Sequence, residues 1–226
     1  HSLGWNVTCC RTPDFPYKSG IIQADSLTDA LEHCRMILAP TPLTRDKKNL
    51  YQAETNAMPC PLDDLWDLLT SNHRLAVCNL PEEYRKILVN SGCEILDFGN
   101  DAFFQNQNAA LTAEGVLAEV IRCTPFALSS VNILLLGYGF CGTAISKLFL
   151  PMCGNIYLVE QDMKKQENAR QQGLSPICAD DFPHILPECR LVINTVPAPI
   201  LDTAQLAQLH SSCHIFDIAS SPFGFP

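Results

Sequence analysis

The chain has 226 residues, of which 47% are hydrophobic and 17% are charged, and its formal net charge is −9. Binding to nucleic acid is excluded, because phosphate recognition needs clustered Lys and Arg and the chain offers only the short segment Arg45–Lys48. A membrane span is excluded as well. The least charged stretch, residues 126–153, is interrupted by three glycines and by Pro151.

The twelve cysteines are spread along the chain, and many lie in apolar runs, where Cys packs as a small hydrophobic residue. No C-x-x-C motif occurs, so the sequence predicts no metal site and no disulfide framework. This cysteine usage favours a reducing, cytoplasmic location. The first residue, His1, is not an initiator Met, and we expect further residues upstream.

Short apolar runs predict strands in the first hundred residues, and the amphipathic runs between them predict helices. In chain order these are the strand 5–9, the helix 26–34 capped by Ser26 or Thr28, the strand 36–40, the helix 61–72, the strand 74–80, the helix 81–92 and the strand 93–99. Strands that alternate with helices indicate β-α-β units and a mostly parallel sheet.

The second half repeats this alternation after a helix of about four turns at residues 108–123. The predicted elements are the strand 132–136, the helix 141–150, the strand 156–160, the helix 163–172, the strand 191–196, the helix 202–210 and the strand 214–219. We predict two doubly wound parallel-sheet α/β domains, residues 1–109 and 110–226, linked by a helix at residues 110–123.

The sequence G-x-G-x-x-G lies between the strand 132–136 and the following helix, in the context that a dinucleotide-binding loop requires. Gly137 permits the tight turn, Gly139 lets the backbone approach a pyrophosphate, and Gly142 lets helix and strand pack closely. The motif predicts dinucleotide binding. The alternative is a glycine-rich turn that only packs.

Glu160 ends the next strand, 18 residues beyond Gly142. A carboxylate at this place accepts hydrogen bonds from both ribose hydroxyls and repels a 2′-phosphate, so we predict NAD in preference to NADP. The alternative is that Glu160 leaves the strand for solvent. Cys141 inside the loop either packs or is a reactive thiol whose pKa the helix dipole lowers.

Four segments occur together, in this order: "NAALTAEGVLAEVI", "ILLLGYGFCGTAISKLF", "LVINTVPAPIL" and "IFDIASSPFG". With these segments the chain resembles the family of the dipicolinate synthase A subunit, weakly before residue 60 and well from about residue 74. The resemblance implies a flavodoxin-like N-terminal domain followed by a Rossmann domain that binds NAD or NADP. It also implies a cytoplasmic sporulation enzyme that oxidises dihydrodipicolinate, a small dicarboxylate, to dipicolinate together with a flavoprotein-like B subunit. Whether the chain also forms a homo-oligomer is left open.

The chain departs from the family in two places. Glu160 and Gln161 stand where family members often carry an Arg suited to a 2′-phosphate, which puts NADP use in doubt. The P-G-G after D-x-A-S is replaced by Pro222, Phe223 and Gly224, so the loop there is expected to differ.

The predicted site combines the strand ends with the residues that the resemblance brings in. For the cofactor these are Gly137, Tyr138, Gly139, Phe140, Cys141, Gly142, Glu160, Asn194, Thr195, Val196, Pro197, Ala219 and Ser220. For catalysis they are Asn108 and Thr112, which would orient the substrate, and Glu114, which would act as the base or hold the cofactor amide. The alternatives are ordinary helix capping by Thr112 and Glu114 and ordinary turns after the strands.

Substrate carboxylates need a cation, and Arg45 is the candidate. None of the six histidines falls in a motif, so we expect structural or surface roles for them. Two other functions stay open. One is a stand-alone NAD-dependent dehydrogenase for a 2-hydroxy or 2-amino acid, and the other is a nucleotide-binding regulatory subunit without catalysis of its own.

Overall fold

The computed structural model describes residues 6–10, 21–32, 34–52, 58–220 and 224–225. His1, Pro222, Phe223, the first residue of the predicted strand 5–9 and one of the six histidines, His33, lie outside these residues. The chain divides into two units, His1–Phe104 and Gln105–Pro226. The predicted domain boundary at residues 109 and 110 stays a prediction.

Ten strands occur in the described residues: β1 Val7–Cys10, β2 Ile21–Ala24, β3 Met36–Leu38, β4 Arg74–Val77, β5 Glu94–Asp97, β6 Asn132–Leu136, β7 Asn155–Val159, β8 Ser175–Ile177, β9 Cys189–Asn194 and β10 His214–Asp217. The α-helices there are α1 Leu27–Leu31, α2 Leu62–Trp66, α3 Glu82–Ser91, α4 Ala102–Cys123, α5 Phe140–Phe149, α6 Met163–Gln171, α7 Phe182–Ile185 and α8 Thr203–Leu206. Every pairing between these strands is parallel. The predicted α/β fold class is confirmed.

In the first unit the described strands form two parallel sheets, β1–β2 and β3–β4–β5, rather than one continuous sheet. Two helix boundaries that the sequence predicts in this unit are present in the structure. Ser26 caps α1 by accepting a hydrogen bond from the backbone N–H of Asp29 over 3.1 Å. Gly92 ends α3 with φ +77°, a conformation that favours glycine. The core of this unit is built around Leu62, Leu75 and Leu88, each at most 1% exposed.

The second unit contains a five-stranded parallel sheet in the order β10-β9-β6-β7-β8. From β6 the chain moves outward through β7 to β8, then returns to place β9 on the other side of β6. The strand order therefore reverses between β6 and β9, and ligands of such sheets bind at the carboxyl ends of strands beside this switch point. Leu134, Leu135 and Leu136 of β6 are fully buried, as expected for the central strand of a sheet that is covered on both faces.

The helix before this sheet differs from the prediction. α4 has 22 residues and begins at Ala102, six residues before the predicted start at residue 108. Asp101 lies just before it and accepts a hydrogen bond from the backbone N–H of Phe104 over 2.7 Å. This is N-cap chemistry. The prediction was wrong because the first turns, "AFFQNQN", lack the apolar spacing on which it depended.

Candidate dinucleotide-binding site

The glycine loop follows β6 and enters α5, and each glycine has a separate structural reason. Gly137 has φ +91°, and a Cβ there would lie 2.6 Å from Val196 Cγ2 and 2.7 Å from Thr195 Oγ1. A Cβ on Gly142 would lie 2.1 Å from the backbone oxygen of Gly137. Only glycine fits at these two places, because the turn folds tightly onto the helix and onto the end of β9.

Gly139 is different, because a Cβ built there would meet nothing within 4 Å. It is the N-cap of α5, and no side chain caps this helix. The first N–H groups of a helix lack intrahelical partners and attract anions, so open space in front of them suits a phosphate. The loop therefore has a shape that suits the pyrophosphate of a dinucleotide, and the binding of a dinucleotide there stays a prediction.

The end of β9 meets the glycine loop from the other side of the switch point. The backbone N–H and the hydroxyl of Thr195 both donate to the backbone oxygen of Leu136, over 3.0 and 2.9 Å. Val196 lies against Gly137, and Pro197, which follows, is exposed. The predicted cofactor residues after β6 and β9 are thus neighbours in space.

Asn194, the last residue of β9, is fully buried. Its Nδ2 donates to the backbone oxygen of Val196 and to Oδ1 of Asp217, both over 2.9 Å, and its Oδ1 accepts from the N–H of Val196 over 3.0 Å. These three bonds use most of the hydrogen-bonding capacity of an amide side chain. Asn194 therefore holds the ends of β9 and β10 together, and its predicted contact with a cofactor stays a prediction.

Asp217 carries this network into the segment after β10. Its Oδ1 also accepts from the N–H of Ala219, and its Oδ2 accepts from the N–H of Gly224, each over 3.0 Å. Partial burial would raise the pKa of Asp217, but the hydrogen bonds from Gly224, Asn194 and Ala219 lower it below its ordinary value. The ionised carboxylate fixes the backbone at Ala219, which is buried, beside the exposed Ser220.

Glu160 follows β7 and faces the glycine loop. Its Oε2 accepts from the N–H of Tyr138 over 3.0 Å, and its Oε1 accepts from the N–H groups of Gln161 and Asp162 over 2.8 and 3.0 Å. Lys165 Nζ lies 3.9 Å from Oε2, and the carboxylate side chain is 13% exposed. The alternative in which Glu160 simply leaves the strand for solvent is therefore wrong, and the carboxylate ties β7 to the loop.

The structure also places Cys141, Arg45 and the residue types that could bind a metal ion. Burial raises the pKa of the Cys141 thiol, which argues against the low-pKa alternative, and Cys141 packs against the core. Arg45 lies in the first unit, 4.5 Å above the ring centre of Tyr51, in a cation–π contact. In the described residues no group of His, Cys, Asp and Glu could hold a metal ion.

The predicted catalytic residues lie in the middle of α4, so the capping interpretation of Thr112 and Glu114 is wrong. The hydroxyl of Thr112 donates to the backbone oxygen of Asn108 over 2.8 Å, one turn back in the helix. Glu114 is exposed and lines a hollow of about 370 Å³ together with Phe140 and Lys147 of α5. Among the described hydrogen bonds, none joins Glu114 to the ends of β9 or β10.

No protein-family model matches the chain. Over 117 residues, 52% of the chain, it is 26% identical to the dipicolinate synthase A subunit of Bacillus subtilis (strain 168), and the match spans 39% of that protein. The fold is similar to the crystal structure of the dipicolinate synthase A subunit from Bacillus halodurans, with a TM-score of 0.78 and 16% identity over 97% of this chain and 76% of that one. The chain resembles the dipicolinate synthase A subunit in both sequence and fold. The family resemblance predicted from the sequence is confirmed.

Further structures share the fold. The dipicolinate synthase A chain from Bacillus subtilis has a TM-score of 0.75 and 18% identity, covering 99% of this chain and 76% of that chain. A transhydrogenase from Sinorhizobium meliloti has a TM-score of 0.66 and 15% identity, covering 99% of this chain and 72% of that one. An L-alanine dehydrogenase reaches a TM-score of 0.54 at 13% identity, with 87% and 58% covered. The chain thus shares its fold with a transhydrogenase and an L-alanine dehydrogenase as well. In the described residues no helix is both long and apolar enough to cross a membrane.

Proposed function

We propose that this chain is the dinucleotide-binding subunit of an oxidoreductase that converts dihydrodipicolinate to dipicolinate. The main support for this proposal is the glycine loop at the switch point of the β10-β9-β6-β7-β8 sheet. There Gly139 leaves open space before a helix that no side chain caps. The similarity to the dipicolinate synthase A subunit supports the choice of substrate. The cytoplasm of a sporulating cell as the location, and a flavoprotein-like B subunit in the role of partner, belong to the same proposal.

In this proposal the start of α5 would hold the pyrophosphate, and Thr195 and Pro197 would hold the nicotinamide side of the cofactor. When bound, the nicotinamide supplies the hydride acceptor. Oxidation of a dihydropyridine dicarboxylate to the aromatic pyridine removes one hydride and one proton, so the protein must also accept a proton. Glu114, exposed on α4 beside Phe140, is the proposed acceptor.

NAD is the proposed cofactor, in preference to NADP. The Glu160 carboxylate lies 3.0 Å from the N–H of Tyr138, beside the glycine loop and at the end of the strand next to β6. Its negative charge would repel a 2′-phosphate placed at the same strand end. Ribose hydroxyls could still donate to this carboxylate. A carboxylate offers about four acceptor positions, and the three backbone N–H groups occupy three of them.

The test is an assay of cofactor reduction with dihydrodipicolinate generated in situ, using NAD and NADP in parallel, each with and without the B subunit. Turnover with NAD that needs the partner supports the proposal. Tighter binding of NADPH than of NADH would contradict the cofactor choice alone. Turnover of a 2-amino acid without any partner would favour a stand-alone dehydrogenase. This alternative is tested because the chain shares its fold with an L-alanine dehydrogenase. Dinucleotide binding with no turnover under any of these conditions would favour a regulatory subunit.

A further inference from the structure

Asn194 at the end of β9 and Asp217 at the end of β10 lie opposite each other in the sheet, and a hydrogen bond of 2.9 Å joins their side chains. We propose that this pair positions the nicotinamide half of the dinucleotide by fixing the backbone that follows β9. Both are positioning residues, because they act through that backbone and not through a contact of their own with the cofactor. The inference rests on the proposed function, since it concerns the same site.

The side chain of Asn194 controls the backbone of the segment after β9. This side chain is fully buried. Its amide accepts from the N–H of Val196 over 3.0 Å and donates to the backbone oxygen of Val196 over 2.9 Å, so one side chain holds both polar backbone groups of Val196. Val196 lies between Thr195 and Pro197, which are proposed to hold the nicotinamide side. The amide therefore fixes the backbone that presents these two residues.

Asp217 decides which way the amide of Asn194 points. The second N–H of the amide donates to Oδ1 of Asp217, so both amide N–H groups are used inside the protein and neither is left for a ligand. If the amide oxygen and nitrogen exchanged places, oxygen would face oxygen at Asp217 and N–H would face N–H at Val196. The carboxylate therefore favours the one orientation in which Val196 is bonded twice.

The carboxylate of Asp217 is itself held in place, although the residue is exposed at the end of β10. Besides the amide of Asn194, the backbone N–H groups of Ala219 and Gly224 donate to it, each over 3.0 Å. An ionised carboxylate only accepts hydrogen bonds, and three donors point at this one. The pair thus joins the end of β9 to the chain on both sides of Ser220.

Gly224 gives an independent observation, because it packs closely onto the same pair. It is buried, and a Cβ there would lie 1.8 Å from Nδ2 of Asn194 and 2.9 Å from the backbone oxygen of Val196. The backbone of Gly224 therefore covers the amide and its bond to Val196. A methyl group at this place would displace Asn194 or lift the chain away from it.

The pair acts on one half of the proposed site. The glycine loop, which would hold the pyrophosphate, is bonded to Glu160 at the end of β7, on the other side of β6. Among the described hydrogen bonds, none joins Asp217 to that loop. Loss of the pair should therefore disturb the nicotinamide half of the cofactor more than the half that contains the pyrophosphate and adenosine.

Two ligands separate these halves. NADH contains both, whereas ADP-ribose contains the pyrophosphate and adenosine without the nicotinamide. Calorimetry on the full chain measures the dissociation constants of both ligands for the wild type, Asp217→Asn and Gly224→Ala. Asp217→Asn keeps the size of the side chain but places an NH₂ group among three N–H donors. Gly224→Ala adds the clashing methyl group at a second position.

Each variant has a matched control. Asp181→Asn makes the same chemical change at an exposed acid, which accepts from the backbone N–H of Cys178 over 2.8 Å. Gly115→Ala adds a methyl group on α4 that would meet no atom within 4 Å. Urea denaturation establishes that every variant is folded under the conditions of the titrations. If Asp217→Asn does not fold, Gly224→Ala still decides the question.

We expect both site variants to weaken NADH binding by about fivefold or more and ADP-ribose binding by less than about twofold. The change in NADH fluorescence on binding, which reports the surroundings of the nicotinamide, should shrink in the same two variants. A purely structural role would not separate the two ligands. Both controls should stay within about twofold of the wild type for both ligands.

Equal loss of NADH and ADP-ribose binding, or no loss of either in the folded variants, would overturn the inference and leave the dinucleotide site in place. A wild type that binds neither ligand would instead contradict the dinucleotide site, and the inference with it. The two failures are therefore distinguishable.

Discussion

The backbone N–H of Tyr138 donates to the carboxylate of Glu160 over 3.0 Å, joining the glycine loop to the end of the neighbouring strand. The two residues are 22 positions apart in the chain, and the carboxylate is 13% exposed. An acid at this place would be interpreted from sequence as a ribose ligand. In the structure it holds the glycine loop in shape through this hydrogen bond.

We expect Glu160→Gln to lower the free energy of unfolding by about 1.5–3 kcal/mol, because hydrogen bonds from backbone N–H groups to a charged acceptor are weakened. NADH affinity should fall as well. Urea denaturation and a fluorescence titration with NADH measure the two effects. Glu167→Gln on the exposed face of α6 is the control, and it should change neither. A Glu160→Gln variant with wild-type stability would show that the carboxylate does not hold the loop.

Alanine at the glycines separates folding from binding. Gly137→Ala should lower the free energy of unfolding by about 1–3 kcal/mol, because φ is +91° and the new Cβ would clash with Val196 and Thr195. Gly139→Ala should cost less than about 1 kcal/mol, since its Cβ meets no atom. Gly139→Ala should nevertheless lose most NADH affinity, because the methyl group fills the proposed phosphate position. Retention of NADH binding by this stable variant would move the pyrophosphate elsewhere.

The sequence predicted the second unit closely and the first unit less well, for physical reasons. β6 was predicted at residues 132–136, with the observed bounds, because a fully buried strand is a continuous apolar run. β8 was missed because it has three residues, includes Pro176 and lies at the sheet edge. β2 in the first unit was missed as well, since four residues carry little periodic signal.

The candidate site was likewise predicted only in part from the sequence. The glycines and Glu160 follow from local spacing, so the sequence identified them. The bond from Tyr138 to Glu160 and the burial of Asn194 depend on contacts between separate strands, which a single sequence does not reveal. The start of α4 was missed although Asp101 carried a capping signal, because the turns that follow it are polar.

Asp97 at the end of β5 predicts a pH dependence of stability. It accepts from the N–H groups of Asn79, Leu80 and Gly99 over 3.0 to 3.1 Å. Arg85 pairs with it at 2.7 Å. Burial would raise the pKa of Asp97, but these hydrogen bonds and the Arg85 charge lower it below its ordinary value.

Because the pKa of Asp97 is lower in the folded than in the unfolded chain, its contribution is complete above about pH 4 and is lost as the pH falls through the lowered value. Asp97→Asn should therefore cost about 1.5–3 kcal/mol near neutral pH and progressively less in acid. Urea denaturation across this pH range tests it. Glu82→Gln is the control, because Glu82 pairs with the same Arg85 but is 74% exposed. Equal pH slopes for the wild type and Asp97→Asn would contradict the prediction.

The thiols should differ in reactivity. Burial raises the pKa of Cys189 to about 12 and that of Cys213 to about 11. Cys123 and Cys178 are exposed. At neutral pH we expect iodoacetamide to label Cys123 and Cys178 first and to spare Cys189 and Cys213 until the protein unfolds, as read by peptide mass spectrometry. Early labelling of Cys141 would revive the reactive-thiol alternative, which its raised pKa argues against.

Glu114 is tested by a change that leaves the fold intact. It is exposed in the middle of α4, with no hydrogen bond to the strand ends among the described residues, so Glu114→Gln should change the melting temperature by no more than about 1 °C. If Glu114 accepts the proton, kcat should fall by about 100-fold or more, because general base catalysis contributes at about this level. Glu119→Gln, on the same helix and in an exposed pair with Arg122, is the matched control and should keep its activity. Equal activity of both variants in the reconstituted assay would remove Glu114 from the chemistry and leave its role to another residue or to the partner protein.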